Sequence, residues 1–375
     1  MTPPPSSYWR AGDEAGGRQF VTLRGPSGGP LRLEGGATLD TVTVAYETWG
    51  TLNRTRSNAV LVLHALTGDS HAAGGAGDGH VTPGWWGGVI GPGLAIDTDR
   101  FFVVCPNVLG ACQGTTGPSS LDVDGRPFAS RFPVITIRDQ VAVEVALADH
   151  LAIERWAGVV GGSMGAMRVL EWAILQPTRV ERAVVLCVGA AATADQIALS
   201  SLQVRAIQLD PHFAGGDYYD EEAGPFEGLA IARGLGQFTY RTGHEFEARF
   251  GRELQGPDRN VGAQYAIQSY LSYQGAKLVG RFDPNSYIVL SEAMNHHDVG
   301  RGRGGAAAAL AGVDVAVSVA GIRSDRLYPL ELQEQLVDLL PHADPLTVIT
   351  SLYGHDGFLL EVEQVGKVID AALNK

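Results

Sequence analysis

The architecture this sequence predicts is a mostly parallel α/β sheet carrying one inserted helical lid. Three observations predict it. Short unbroken apolar runs recur along the chain, as expected of strands buried on both faces of a parallel sheet. Helical patterns alternate with them, which is the rhythm of βαβ units. Between about Ala190 and Gly305 that rhythm breaks, and helical patterns follow one another with no convincing buried strand.

The first forty residues are rich in Gly and Pro and read as loop mixed with short edge strands. Val42–Thr48 alternates apolar and polar residues. Ala59–His64 is a continuous apolar run, and Phe101–Cys105, Gly158–Gly161, Arg182–Val188, Val313–Ala320 and Leu346–Thr350 resemble it. Helices are expected between them. Arg138–Leu151 carries Val141, Val145, Leu147 and Leu151, with Asp139 in its first turn. Met164–Gln176 is stopped by Pro177; Pro329–Leu340 and Glu361–Leu373 follow later. Inside the insertion, helical patterns cover Ala192–Leu209, Phe226–Leu235 and Ala263–Gly280. The expected division is core over 1–189, lid over 190–305 and core again over 306–375. An insertion leaving the carboxyl ends of the strands overhangs the ligand site, because open α/β sheets bind ligands at that edge. The competing arrangement is a separate helical domain remote from the site.

Composition narrows the function classes. Among 375 residues, 28 Lys and Arg stand against 41 Asp and Glu, for a net charge of −13. Phosphate backbones need concentrated positive charge, so a nucleic-acid partner is not expected. Only three lysines occur, so arginine or backbone N–H groups must grip any anionic ligand. Met1–Phe20 lacks a basic segment followed by an apolar run, which argues against a secretory signal. No apolar stretch approaches the roughly 18–20 residues of a membrane span. Cys105, Cys112 and Cys187 are odd in number and lack C-x-x-C spacing, so neither a disulfide framework nor a zinc site is expected. A cytoplasmic enzyme is the expectation.

The strongest motif is Gly161-Gly162-Ser163-Met164-Gly165. It fits G-x-S-x-G between a strand and a helix, where a sharp turn pushes the serine Oγ outward. The helix N-terminus there also favours developing negative charge. A glycine-rich turn with an incidental serine is the bland alternative. A serine needs a base, and the base needs an orienting carboxylate. Asp325 lies just beyond one late strand and His355 just beyond the next, giving the order Ser163, Asp325, His355 that α/β hydrolases use. Asp298, Asp314 and Asp344 are rival acids, and His342 is a rival base at the far end of a helix. The oxyanion donors are expected to be the N–H of Met164 and an N–H after the strand Ala59–Leu63, placed at Leu66 or one residue either side. His64, His71 and His80 are spaced too loosely for a zinc motif. His296 and His297 are adjacent and point apart on a helix, so a structural role is expected. No P-loop and no dinucleotide fingerprint occurs, and no metal or bound cofactor is expected.

These residues resemble the homoserine O-acetyltransferases of the α/β-hydrolase superfamily. The matching stretches are His64–His71, Gly110–Ser120, Gly161–Trp172, Phe282–Gly305, Ser324–Pro329 and Gly354–Leu359, spread from about residue 40 to the C-terminus. The resemblance implies a ping-pong enzyme that takes acetyl from acetyl-CoA onto serine and passes it to L-homoserine, a committing step of methionine synthesis. It implies the same triad and adds two substrate contacts, Arg233 and Asp356. An arginine can hold the homoserine carboxylate and an aspartate its ammonium. A homodimer through the inserted helices is also implied. Ala166, Arg168, Ala111, Asn295 and Tyr328 depart from the commoner family choices. Sister enzymes use succinyl-CoA or serine, and a serine esterase, a thioesterase or a non-catalytic binding module would share the same fold.

Overall fold

The computed structural model describes residues 8–25, 28–77, 79–255 and 263–374. The first seven residues of the Met1–Phe20 stretch lie outside the described residues. Eight strands form the main sheet: β1 (Gln19–Leu23), β2 (Val42–Trp49), β3 (Ala59–Leu63), β4 (Phe102–Pro106), β5 (Gly158–Gly162), β6 (Arg182–Leu186), β7 (Ala316–Ile322) and β8 (Thr347–Ile349). Their order across the sheet is β1-β2-β4-β3-β5-β6-β7-β8. β2 is antiparallel to β1 and to β4, and every later pairing is parallel. The alternating Val42–Thr48 pattern is thus the antiparallel edge region, and the unbroken apolar runs are the parallel centre.

Period-two geometry separates the two faces of the sheet. In β3, Leu61 and Leu63 join one apolar layer while Val60 and Val62 join the other. Helices α1 (Ile137–His150) and α2 (Met164–Leu175) pack on the first face with Trp156 and Trp172. Thr136 caps α1 in a reciprocal capping box with Asp139. Between α1 and α2, Arg168 is fully buried and pairs with Glu144 at 2.6 Å, while Trp172 Nε1 donates to the other Glu144 oxygen at 2.7 Å. The departure at Arg168 is therefore an internal ion pair with its own partner.

The interrupting stretch joins β6 to β7. It holds α3 (Ala194–Gln208), α4 (Phe226–Tyr240), α5 (Gly243–Phe250), α6 (Ala266–Val279), α7 (Pro284–Asn295) and the short α8 (Ala306–Ala311). α4 runs five residues past the expected end at Leu235, and α5 and α7 were not legible as separate helices. Two two-residue strands, Leu254–Gln255 and Gln264–Tyr265, also pair within it. α9 (Leu330–Leu339) connects β7 to β8, and α10 (Gly357–Leu360) and α11 (Val362–Leu373) close the chain. Among the described residues, no helix is long and apolar enough to cross a membrane.

Candidate active site

Ser163 occupies the single residue between β5 and α2, at φ 56° and ψ −125°. The close packing of the turn explains the flanking glycines. A Cβ on Gly165 would stand 2.0 Å from the Leu63 carbonyl oxygen, and one on Gly161 would stand 2.6 Å from the backbone of Gly165. Only glycine lets the start of α2 touch the end of β3. That contact brings the Met164 N–H beside the segment that leaves β3. Neither the Leu66 N–H nor the Met164 N–H has a hydrogen-bond partner among the described residues.

His355 sits on a short turn after β8 and is buried. Its Nδ1 lies 2.6 Å from Asp325 Oδ2. The other Asp325 oxygen accepts from the N–H groups of Leu327 and Tyr328 at 2.8 and 2.9 Å. The carboxylate is thereby fixed in orientation, and it sets the tautomer that leaves Nε2 free to take a proton. His355 Nε2 is buried without a partner among the described residues. Tyr328 and Phe358 pack against the His355 ring. The Tyr328 ring stacks on His355 at 5.0 Å, and its phenol interacts with the Ser163 side chain. Phe358 lies edge-on to His355, and its ring fills the space over Gly162 that a Cβ would enter. The rivals lie elsewhere. His342 pairs with exposed Asp314 at 3.2 Å, Asp344 accepts from Ser318, and Asp298 caps the N–H of Gly300.

Arg233 and Asp356 are 123 positions apart in sequence, yet both line one cavity of about 570 Å³. Arg233 projects from α4, with Cζ 5.8 Å from the Tyr240 ring centre and a buried Nε that has no partner among the described residues. Asp356 meets Arg241 at 3.3 Å, and Arg241 is held by Glu245 at 2.9 Å. Arg241, Glu245 and Tyr240 escaped the sequence reading. The available signal was the spacing Arg233, Gln237, Arg241, which puts three polar groups on one helical face.

The histidines need one correction. Spacing kept His71 and His80 apart, but the fold brings both onto Glu47, with all three ligand atoms within 4.8 Å of one another. His64 accepts from the Val108 N–H at Nε2, and its Nδ1 lies 2.8 Å from the Ala65 carbonyl, which fixes one neutral tautomer. Burial, aided by nearby Arg168, pushes its pKa down to about 3. His297 is buried with Nε2 at 3.1 Å from the Gly189 carbonyl, the structural role expected of it. All three cysteines are free and buried.

A strained serine after a parallel strand, with an Asp–His pair delivered by the last two strands, defines an α/β hydrolase. The family model described as the alpha/beta hydrolase fold accordingly matches residues 58–362. Over 372 residues, 99% of this chain and 97% of the other, the sequence is 55% identical to a homoserine O-acetyltransferase of Thermobifida fusca (strain YX). A homoserine O-acetyltransferase of Mycobacterium sp. (strain KMS) is 56% identical over 92% of this chain and 93% of its own. The chain belongs to the homoserine O-acetyltransferase family. The X-ray structure of the Bacillus anthracis homoserine O-acetyltransferase matches with a TM-score of 0.86 at 29% identity, over 96% and 97% of the two chains. Esterase E22 matches with a TM-score of 0.85 at 28% identity, over 95% and 100%. Fold alone therefore does not separate transfer from hydrolysis.

Proposed function

We propose that this protein transfers an acetyl group from acetyl-CoA to the hydroxyl of L-homoserine through an acetyl-serine, feeding methionine synthesis. The observation that carries the reading is the cavity shared by Arg233 and Asp356, the residue that follows His355 in the chain. Water needs no such pair, whereas an α-amino acid presents one carboxylate and one ammonium. Ser163, Asp325 and His355 are the triad, Met164 and Leu66 the oxyanion donors, and Arg233 and Asp356 the amino-acid contacts.

The steps follow from chemistry at these atoms. His355 Nε2 takes the Ser163 proton as Oγ attacks the thioester carbonyl. Asp325 stabilises the imidazolium. The Leu66 and Met164 N–H groups hold the tetrahedral oxyanion, a contribution of roughly 2.7–4 kcal/mol per donor. The intermediate collapses, the C–S bond breaks, and the CoA thiolate leaves with the proton from His355. The homoserine hydroxyl then gives its proton to His355 and attacks the acetyl-serine. Collapse of the second intermediate returns the proton to Ser163. The scheme calls for no metal and no bound cofactor. The helices between β6 and β7 supply Arg233 and Tyr240 and limit entry of water.

The same reading places the enzyme in the cytoplasm with small-molecule substrates, and neither nucleic acid nor membrane as partner. It forms a homodimer through the inserted helices, where Leu202, Ile231, Phe238 and Tyr273 are exposed.

Thiol release from acetyl-CoA tests the reading, with homoserine, serine or no acceptor, and with succinyl-CoA in parallel. Release requiring both acetyl-CoA and homoserine supports it. The likeness to esterase E22 favours hydrolysis as the second reading, and release without an amino acid would establish that one.

A further inference from the structure

The segment His64–His71 carries the Leu66 donor, and a buried histidine stands at each end of it. The end at His64 is fixed as a neutral ring. The end at His71 is held differently. Its Nδ1 lies 2.9 Å from Glu47 Oε2, and its Nε2 lies 3.0 Å from the Gly75 carbonyl oxygen. Both partners are acceptors, so both ring nitrogens must donate, and a neutral imidazole has only one N–H. Ser70 Oγ donates to the other Glu47 oxygen at 2.9 Å, so Glu47 grips two successive residues of the segment.

Two further contacts bear on whether a metal, not a proton, bridges these groups. The His71 and His80 rings stack 3.6 Å apart and only 11° from parallel. Parallel rings at that separation cannot both aim an in-plane lone pair at one ion. The Gly17 N–H also donates to His80 Nε2 at 3.3 Å, so the lone pair a metal would need is already used. These contacts favour a doubly protonated His71 over a bridging ion at Glu47.

We propose that His71 is a positioning residue of the acyl-transfer site, an imidazolium clamped by Glu47 and Gly75 that holds the Leu66 N–H in register for the oxyanion. The rest of the segment is tied in the same sense. Arg281 donates to the Thr67 carbonyl at 2.7 Å, and Trp85 donates to the Asp69 carbonyl at 3.0 Å. The charged and titratable groups facing His71 are Glu47, Asp69 and His80, with Arg18 acting on His80 and Cys105 near Glu47. Burial opposes the charged ring, and the Glu47 hydrogen bond and charge overcome it, which raises the pKa above the ordinary histidine value. The clamp is therefore intact below that raised pKa and is lost as pH rises through it.

The inference rests on the acyl-transfer reading, so the experiment separates the two. Single-turnover acetylation of Ser163 by p-nitrophenyl acetate is measured against pH for the wild type, His71→Gln, Glu47→Gln and the double variant. Each single variant is expected to slow acetylation about 10- to 100-fold, at or somewhat below the loss for one oxyanion donor. The KM for homoserine should stay unchanged, the double variant should be no slower than either single, and Glu47→Gln should move the alkaline limb to lower pH. A wild type that does not acetylate defeats the acyl-transfer reading itself. A wild type that acetylates while His71→Gln keeps pace overturns only this inference. Nitrogen-15 NMR of histidine-labelled wild type decides the matter even if the variants fail to fold. Both His71 ring nitrogens should be protonated at pH 6, below the ordinary histidine value. An unprotonated His71 nitrogen, or a divalent ion retained stoichiometrically by the purified protein, would overturn the clamp.

Discussion

Ser163 holds a backbone conformation that costs a non-glycine residue about 1–3 kcal/mol. The strain aims Oγ out of the turn, so stability and activity should trade at this position. Ser163→Gly is expected to raise stability by about 1 kcal/mol, read from the urea midpoint, while lowering turnover by at least about 10⁴-fold. Unchanged turnover in that variant would remove the covalent scheme. Arg168 makes the opposite case, a buried charge whose worth lies in its partner. Arg168→Met leaves Glu144 buried without its counter-ion and should cost about 3–5 kcal/mol of unfolding free energy. A loss below 1 kcal/mol would show that Glu144 simply takes up a proton. Tyr328, a departure from the commoner family residue, stacks on His355, and its phenol is under the influence of Ser163. Loss of its hydroxyl in Tyr328→Phe should be felt in the acylation step and spare the KM for homoserine.

At the scale of elements, the segment after β3 is bracketed by histidines of opposite sign. His64 is pushed down to about 3, so below pH 6.5 the unfolded chain binds a proton that the folded one refuses. Stability therefore falls as pH drops from about 6.5 toward 3, by on the order of several kcal/mol. His71 acts in reverse: its contribution is complete below the unfolded pKa and disappears as pH rises through its raised folded value. A urea titration across pH should show a stability maximum between the two limbs. His64→Asn should flatten the acid limb; an acid limb of unchanged slope would assign it to other groups. Helix α4 supplies a second test. Arg241 pins Asp356 while Glu245 pins Arg241, so Arg241→Met should raise the KM for homoserine about tenfold, the weight of a 1.4 kcal/mol contact. Acetylation of Ser163 in the absence of homoserine should not change.

For the whole molecule, a parallel sheet gathers distant residues because every carboxyl end opens on one edge. Ser163 follows β5, Asp325 follows β7 and His355 follows β8, so three turns on that edge carry the proposed triad. The helices between β6 and β7 contribute Arg233 to the cavity it shares with Asp356. They also expose apolar side chains on α3, α4 and α6, which a homodimer would cover. Ile231→Glu combined with Tyr273→Glu should shift the protein to a monomer in analytical ultracentrifugation. A wild type that sediments as a monomer would dispose of the dimer.

Local chemistry made much of this legible. The apolar runs, the stop at Pro177 and the strained G-x-S-x-G turn depend on neighbours in the chain, and their physics acts within a few residues. The Asp325–His355 pair was readable because α/β crossovers leave little freedom in where successive strand ends fall. Contacts between segments with no shared periodicity were not readable. Nothing near Glu47 announces that His71 and His80 will close on it, nor does anything near Asp356 announce Arg241. Those pairings depend on how loops and the helices between β6 and β7 pack in three dimensions. Such packing is set by the summed burial of many weak contacts, and no single motif carries it.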